Sequence, residues 1–157
     1  MNGEIPGYAS NKVHAHLWSE GRHFIKFWND LGATANDGDV YFLDWVKPSD
    51  STNVPTLAAC ATSAVLRQVA VVANAEFGDA ATVADDTWGW AQLEGYCRKV
   101  KVAATIAIGD FVQGANASQE AADDGTTQTA DSFGIAVTAV ASNYCEAILF
   151  GNYVSIG

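Results

Sequence analysis

The segment ATANDGDVY at residues 33–41 returns later in the chain as ATIAIGDFV at residues 104–112. A shorter segment, AQLEG at residues 91–95, returns as AILFG at residues 147–151. In both copies of the longer segment a Gly-Asp pair precedes apolar residues, which is typical of a turn that leads into a strand. The repeat therefore predicts one β-unit that is built twice.

The spacing of the two matches differs. Gly38 and Gly109 lie 71 residues apart, whereas Ala91 and Ala147 lie 56 residues apart, so the first copy carries 15 extra residues. A single insertion would explain this difference. Neither copy contains a cluster of reactive side chains, so the repeat indicates a scaffold with binding surfaces and not a catalytic centre.

Length and composition indicate one all-β domain. The chain has 157 residues, of which 49% are hydrophobic and 17% are charged, and it contains 14 glycines. A chain of this length forms one compact domain, and this composition favours sheets and turns over helices. We expect a β-sandwich or small barrel over residues 18–157. Residues 1–17 are expected to form an extended N-terminal arm, because Gly3, Pro6 and Gly7 disfavour regular structure there.

Charge and cysteine content exclude several classes of function. The formal net charge is −10, with 8 Lys+Arg against 18 Asp+Glu, so we expect neither nucleic acid nor an anionic membrane as a partner. Cys60, Cys97 and Cys145 form no CxxC pair, and we expect buried thiols, not a disulfide framework or a zinc site. The chain start does not resemble a signal peptide, and no apolar run is long enough to span a membrane, so a soluble protein made in the cytoplasm is expected.

The alternation of apolar and polar residues predicts the individual strands. We expect strands at residues 23–28, 40–46, 68–73, 88–96, 133–141 and 144–150, and loops at residues 74–87 and 114–131. Residues 68–73 are mostly small or β-branched, which is typical of a strand that is buried on both faces. The Ala-rich segment 54–67 fits either a short helix or a strand.

Two of the predicted strands carry apolar side chains on both faces. In segment 144–150, one face holds cysteine, alanine and leucine, and the other holds tyrosine, glutamate, isoleucine and phenylalanine. Because a small β-domain has one interior, the second apolar face is expected to meet another subunit or protein. The interface candidates are Trp88 and Trp90, for which packing in the core is the alternative, and three residues of the arm, Ile5, Pro6 and Tyr8.

Several of these elements resemble the head decoration (cement) proteins of tailed bacteriophages. The resemblance rests on the strand 24–28, the turn 35–40, the segment 108–112, the Gly-Ile-Ala-Val of residues 134–137 and the glycine-spaced strand 88–96. It extends from about Leu17 to the C-terminus. It implies a homo-oligomer, often a trimer, that binds the major capsid protein on the outer capsid surface of the virion and stabilises contacts between capsid subunits. The family has no active-site residues.

Two other functions compete with capsid binding. In a sugar-binding head or fibre module, Trp88, Trp90 and Tyr96 would stack on carbohydrate rings. In a cupin-like metalloprotein, the HxHxxxE spacing of His14, His16 and Glu20 would supply the first metal motif. The second half of the chain, however, contains no histidine to complete such a site, so we expect no metal and no cofactor.

Paired carboxylates are the remaining catalytic candidates. Asp85-Asp86 and Asp123-Asp124 are adjacent in sequence, and neighbouring side chains in a loop or strand do not point at one substrate atom. We interpret them as solvated turn residues. The sequence therefore predicts a binding protein and no enzymatic activity.

Overall fold

The fold is built almost entirely of β-strands. The computed structural model describes residues 16–44, 55–61, 63–103, 105–115 and 118–156. Within these ranges the elements are β1 (His16–Ser19), β2 (Arg22–Asn29), β3 (Ala35–Asn36), β4 (Val40–Asp44), β5 (Thr56–Ala58), β6 (Ser63–Val72), a 3₁₀ turn (Asn74–Phe77), β7 (Thr82–Val83), β8 (Thr87–Lys101), β9 (Phe111–Gly114), β10 (Ala121–Gly125), β11 (Gly134–Ala136), β12 (Tyr144–Phe150) and β13 (Tyr153–Ile156). The all-β prediction is confirmed. Among the described residues, no helix has the length and apolar character that a membrane span needs.

Most of the predicted strands are present. Residues 23–28, 88–96 and 144–150 lie within β2, β8 and β12, and residues 40–44 form β4. The segment 54–67, for which the sequence allowed helix or strand, forms β5 and the first part of β6 where it is described. Alanine is a weak strand former, so the pairing of these residues with neighbouring strands overrides their local preference.

The secondary structure predicted for three segments is wrong at least in part. Residues 114–131, expected as a loop, contain β10, whose Ala-Ala-Asp-Asp-Gly sequence has no strand-forming pattern but pairs with β9. The expected strand 133–141 is limited to the three residues of β11, because the chain then turns and Thr138 Oγ1 accepts a hydrogen bond from the Glu146 amide at 2.9 Å. Residues 74–87, also expected as a loop, contain the 3₁₀ turn and β7.

The first described residues belong to the sheet. His16 and Leu17, which the sequence assigned to the arm, lie in β1, and β1 pairs antiparallel with β2. Leu17 is buried against Phe24 and Trp90. Residues 1–15, the remainder of the expected arm, lie outside the described ranges.

Two equivalent four-stranded units account for most of the sheet. The first unit contains β5, β4, β6 and β8 in that spatial order, and the second unit contains β10, β9, β11 and β12 in that order. The units join through an antiparallel pairing of β8 with β12. The predicted repeat is therefore a repeat of strand order as well as of sequence.

The same turn begins both units. Gly38 and Gly109 have φ values of 94° and 91°, a left-handed conformation that glycine adopts without steric cost. In each turn the aspartate after the glycine accepts a hydrogen bond from a backbone amide, Asn36 N to Asp39 Oδ2 at 2.9 Å and Ala107 N to Asp110 Oδ2 at 2.8 Å. The Gly-Asp pairs thus close two turns of one type, as their chemistry predicts.

Two insertions, and not one, separate the copies. Equivalent residues lie 71 positions apart at the turn, as in Gly38 and Gly109. They lie 64 positions apart in β5 and β10 (Ala58 and Ala122) and in β6 and β11 (Val72 and Ala136). In β8 and β12 the spacing falls to 56 positions (Ala91 and Ala147). The first copy is therefore seven residues longer between β4 and β5, and eight residues longer between β6 and β8. The β6–β8 connection that the second insertion lengthens contains the 3₁₀ turn and β7.

Both faces of the first unit are buried. β2 pairs with both β8 and β5, so the five strands β2, β5, β4, β6 and β8 form a closed ring of pairings. One face of the first unit lies inside this ring, against a buried cluster that includes Ile25 and Phe27. Its opposite face packs against the second unit in a separate cluster. In β6, Ala70 and Val72 belong to the first cluster and Val69 and Val71 to the other. The prediction that this strand is buried on both faces is confirmed.

Candidate interaction surface

An apolar row crosses the outer face of the second unit. Tyr96 of β8 lies opposite Ile148 of β12, Ile148 lies opposite Ile135 of β11, and Ile135 lies opposite Phe111 of β9. Directly opposed residues project to the same face of a sheet, so these four side chains form one line across four strands, which we name the outer row. Tyr96 is 38% exposed and the other three are half-buried.

The inner face of the same strands is packed in the core. In β12 every second residue is buried, and these are Cys145, Ala147 and Leu149. The predicted division of this strand into two faces is therefore correct: one apolar face is covered by the first unit, and the other keeps contact with solvent. Phe150, whose ring centroid lies 6.1 Å from that of Phe111, extends the apolar surface beside the outer row.

The equivalent row of the first unit is completely covered. By the spacing of the repeat, Phe111, Ile135 and Ile148 correspond to Val40, Val71 and Gln92, which are paired with one another in the same way. Each of these three is at most 1% exposed. Val40 and Val71 pack against Val112, Ala136 and Leu149 from the inner face of the second unit. The described residues thus cover this face in the first unit and leave its equivalent in the second unit only half-buried.

Among the described residues, charged groups flank the outer row at its Tyr96 end. Arg98 and Glu146 line a shallow depression together with Tyr144. A hydrogen bond with the Glu146 carboxylate raises the pKa of the Tyr96 hydroxyl. The amine of Lys99 lies 4.4 Å from the ring centre of Tyr144. The surface therefore has an uncharged centre and a rim that carries both signs of charge.

Trp90, a predicted interface residue, belongs to the core. It is 4% exposed, its ring stacks on Phe77 with centroids 4.6 Å apart, and the Lys26 amine lies 5.1 Å from its ring centre. Phe77 belongs to the 3₁₀ turn of the β6–β8 connection, which therefore covers Trp90. Sequence periodicity could not reveal this cover, because Phe77 is not on a neighbouring strand.

The interface roles of Trp88 and of the three arm residues stay predictions. Trp88 is half-buried and meets Trp28 edge to face at 5.2 Å, so part of its surface remains open to a partner. Ile5, Pro6 and Tyr8 lie outside the described residues. The outer row was not among the predicted interface residues. The alternation in β12, combined with the repeat that aligns Phe111 with Val40, is the signal that identifies it.

A stacked group of aromatic rings lies on the β1–β2 hairpin. His16 Nδ1 and His23 Nε2 are hydrogen-bonded at 2.8 Å, and Trp18, which is 60% exposed, stacks on His23 with ring centroids 4.1 Å apart. Glu20, the carboxylate of the cupin-like spacing, lies in the hairpin turn, where its Oε2 is 3.6 Å from Nη2 of Arg22. His14 lies outside the described residues, among which no group of three potential ligands could hold a metal ion.

We expect acid to destabilise the protein through His23. Burial and the neighbouring His16 lower the pKa of His23 from 6.5 to about 4. Between these two pH values the unfolded chain binds a proton at His23 that the folded chain does not bind. The free energy of unfolding therefore falls as the pH drops from about 6.5 towards 4. Urea unfolding of the wild type and of His23→Gln at pH 7 and pH 5 measures this effect. The variant should lose less stability on acidification, and an equal loss in both proteins would contradict the assignment.

The thiols and paired carboxylates have structural roles. All three cysteines are free and buried, and burial raises the pKa of Cys60 and Cys97 to about 12 and that of Cys145 to about 11. Asp85 accepts a hydrogen bond from the Gly32 amide at 2.8 Å, and Asp124 accepts hydrogen bonds from the hydroxyls of Thr129 and Ser132. These carboxylates stabilise loops, as expected for turn residues.

Comparison with known proteins shows a likeness of fold to a solved structure. No protein-family model and no curated protein matches this chain. Among solved structures, the N base of the head fiber gp8.5 in bacteriophage phi29 has a similar fold, with a TM-score of 0.50 and 9% sequence identity. The match covers 85% of this chain and 98% of that chain. At this level of identity, the likeness concerns the fold alone.

Proposed function

We propose that this chain is a structural protein of a bacteriophage head, which binds the outer capsid surface and stabilises contacts between capsid subunits. The observation that carries the proposal is the likeness to the phi29 head fiber base, since it extends over 98% of that chain. That protein and the decoration proteins, which the sequence resembles, both belong to phage heads. The proposed location is the outer surface of the virion, after synthesis in the host cytoplasm.

The charge of the chain supports an external position. At −10 the molecule is repelled by the phosphates of a packaged genome, whereas binding to the outside of a protein shell needs no basic surface. The proposed partners are the major capsid protein and further copies of the same chain. Half-buried aromatic and aliphatic side chains of the outer row and of Trp88 are suited to such protein contacts.

The proposed role is binding without catalysis. The carboxylate pairs are engaged in loop hydrogen bonds, and the thiols have raised pKa values, which disfavours the nucleophilic thiolate. A sugar platform made of Trp88, Trp90 and Tyr96 is disfavoured because Trp90 lies under Phe77 and offers no ring face to a ligand.

Density-gradient sedimentation with capsids of the source phage tests the proposal. We expect the full chain to migrate with the capsids, and a variant that lacks residues 1–10 to bind them more weakly, because the arm is expected to reach a neighbouring subunit. The truncated variant should unfold at the same urea concentration as the full chain, since residues 1–10 have few core-forming side chains. A full chain that remains free in the presence of excess capsids would refute capsid binding.

A further inference from the structure

We propose that the 3₁₀ turn Asn74–Phe77 is a strap that opens and closes over Trp90 as one unit, while the sheet beneath it stays paired. The strap is bounded by Ala73, whose amide donates to the carbonyl oxygen of Trp90 at 2.9 Å, and by Gly78, which has a φ of 79°. Opening exposes the apolar cluster to which Trp90 belongs. This inference goes beyond the proposed function and does not depend on it.

The backbone of the strap is held by short-range hydrogen bonds. The Glu76 amide donates to the Ala73 carbonyl at 3.3 Å, and the Gly78 amide donates to the Ala75 carbonyl at 3.1 Å. Hydrogen bonds between residues three apart have poorer geometry than those of a regular helix. Segments of this kind open locally at a lower free energy than paired strands do.

Side chains from three other parts of the chain fasten the strap. Asp37 accepts hydrogen bonds from the first two amides of the strap, at 2.7 and 3.0 Å. Glu76 Oε2 lies 3.1 Å from Nη1 of Arg22, and Glu76 Oε1 lies 3.7 Å from Nε of Arg98. Burial raises the pKa of Asp37, so removal of its charge from water opposes closure. Polar contacts therefore favour the closed strap, and the buried charge favours the open one.

A small polar cavity lies under the strap. It has a volume of about 30 Å³, and Asp37, Gln92 and Cys97 are among the residues that line it. This volume is sufficient for a water molecule, which polar groups can hold there. On this side no interlocked apolar layer has to separate when the strap lifts. The apolar contact that opening must break is the stacking of Phe77 on Trp90, with ring centroids 4.6 Å apart.

The second unit shows that strand pairing does not require a strap. By the spacing of the repeat, Thr138 and Glu146 correspond to Asn74 and Trp90. The Glu146 amide donates to Thr138 Oγ1 at 2.9 Å, and the Trp90 amide donates to Asn74 Oδ1 at 3.2 Å. The described connection after Thr138 contains no 3₁₀ turn, and a shallow depression lies beside Glu146, yet β11 and β12 are paired. The strap is therefore an addition to a β-unit that pairs without one.

Modification of the native thiols by a small thiol reagent tests the proposal. Cys97 lines the cavity under the strap, whereas Cys60, which is also buried, is not among the lining residues. We expect Cys97 to react about tenfold or more faster than Cys60 without urea, because strap opening exposes it before global unfolding does. The Cys97 rate should change little at low urea concentrations, because local opening exposes little surface. Equal rates with the same urea dependence would overturn the proposal.

A phenylalanine pair provides the variant and its control. Phe77→Ala removes the stacking on Trp90, so it should raise the ratio of the Cys97 rate to the Cys60 rate by about tenfold or more. Use of this ratio corrects for any change in global stability. Phe150→Ala removes another half-buried ring with an aromatic neighbour, away from the strap, and should leave the ratio unchanged. A ratio that Phe77→Ala leaves unchanged, or that both variants raise equally, contradicts the proposal.

Discussion

Replacement of Trp90 by alanine lowers the free energy of unfolding by about 3–5 kcal/mol, the range for removal of a large aromatic side chain from a packed core. Trp90 fills a cluster with Leu17, Phe24 and Ala73, and Phe77 closes over it. The substitution leaves a cavity between β1, β2 and the 3₁₀ turn, and β1 and β2 cannot move into it without loss of strand pairing. Urea denaturation monitored by far-UV circular dichroism measures the effect.

The matched control for Trp90→Ala is Trp88→Ala, two residues away on the same strand. Trp88 keeps part of its surface in solvent and contacts Trp28 edge to face. Its removal should cost about 1–2 kcal/mol, because less apolar surface is returned to water. Similar losses in the two variants would mean that Trp90 is not covered by Phe77, and the interface role that the sequence suggested for Trp90 would again be open.

Substitution of Gly95 by alanine has the second-largest expected effect, a decrease of about 3 kcal/mol or more in the free energy of unfolding. Gly95 lies within β8 at a φ of 89°, which is unfavourable for a residue with a Cβ atom. An added Cβ would also overlap the carbonyl oxygen of Gly21 and lie 3.0 Å from Arg22 Cα. Both obstacles are backbone atoms of the β1–β2 hairpin, so they cannot move aside as a side chain could. The hairpin would have to shift away from β8.

Gly125→Ala separates the two contributions. Gly125 has a φ of 83°, close to that of Gly95, but an added Cβ there meets nothing within 4 Å. This control should cost only the conformational strain, about 1–2 kcal/mol. Equal losses of stability in the two variants would show that the hairpin does not approach β8 as closely as the structure places it.

Local chemistry explains which parts of the fold were predictable. A Gly-Asp pair before apolar residues closes a turn through its own backbone and carboxylate, so both copies of the turn could be located from sequence. The period-two pattern in β12 likewise follows from strand geometry, and its two faces were assigned correctly. In contrast, β10 has no such pattern, and it is a strand only because β9 offers it backbone hydrogen bonds.

The candidate surface was only partly predictable, because its exposure also depends on segments that are distant in the sequence. An apolar face on a strand indicates that something covers it, but it does not say whether the cover comes from the same chain. For Trp90 the cover is Phe77, from a connection whose extra length the sequence located only as a difference in spacing. For Ile148 no cover of comparable extent is present among the described residues, and the side chain stays half-buried.

The sequence by itself determined the all-β class, the duplicated turn and unit, and the negative charge that disfavours nucleic acid, because these depend on residue types and on short spacings along the chain. Only the tertiary structure decided that both faces of the first unit are buried and that, within the described ranges, no further layer covers the outer row of the second unit. Burial depends on which distant segments stack on a face, and period-two alternation carries no information about that stacking.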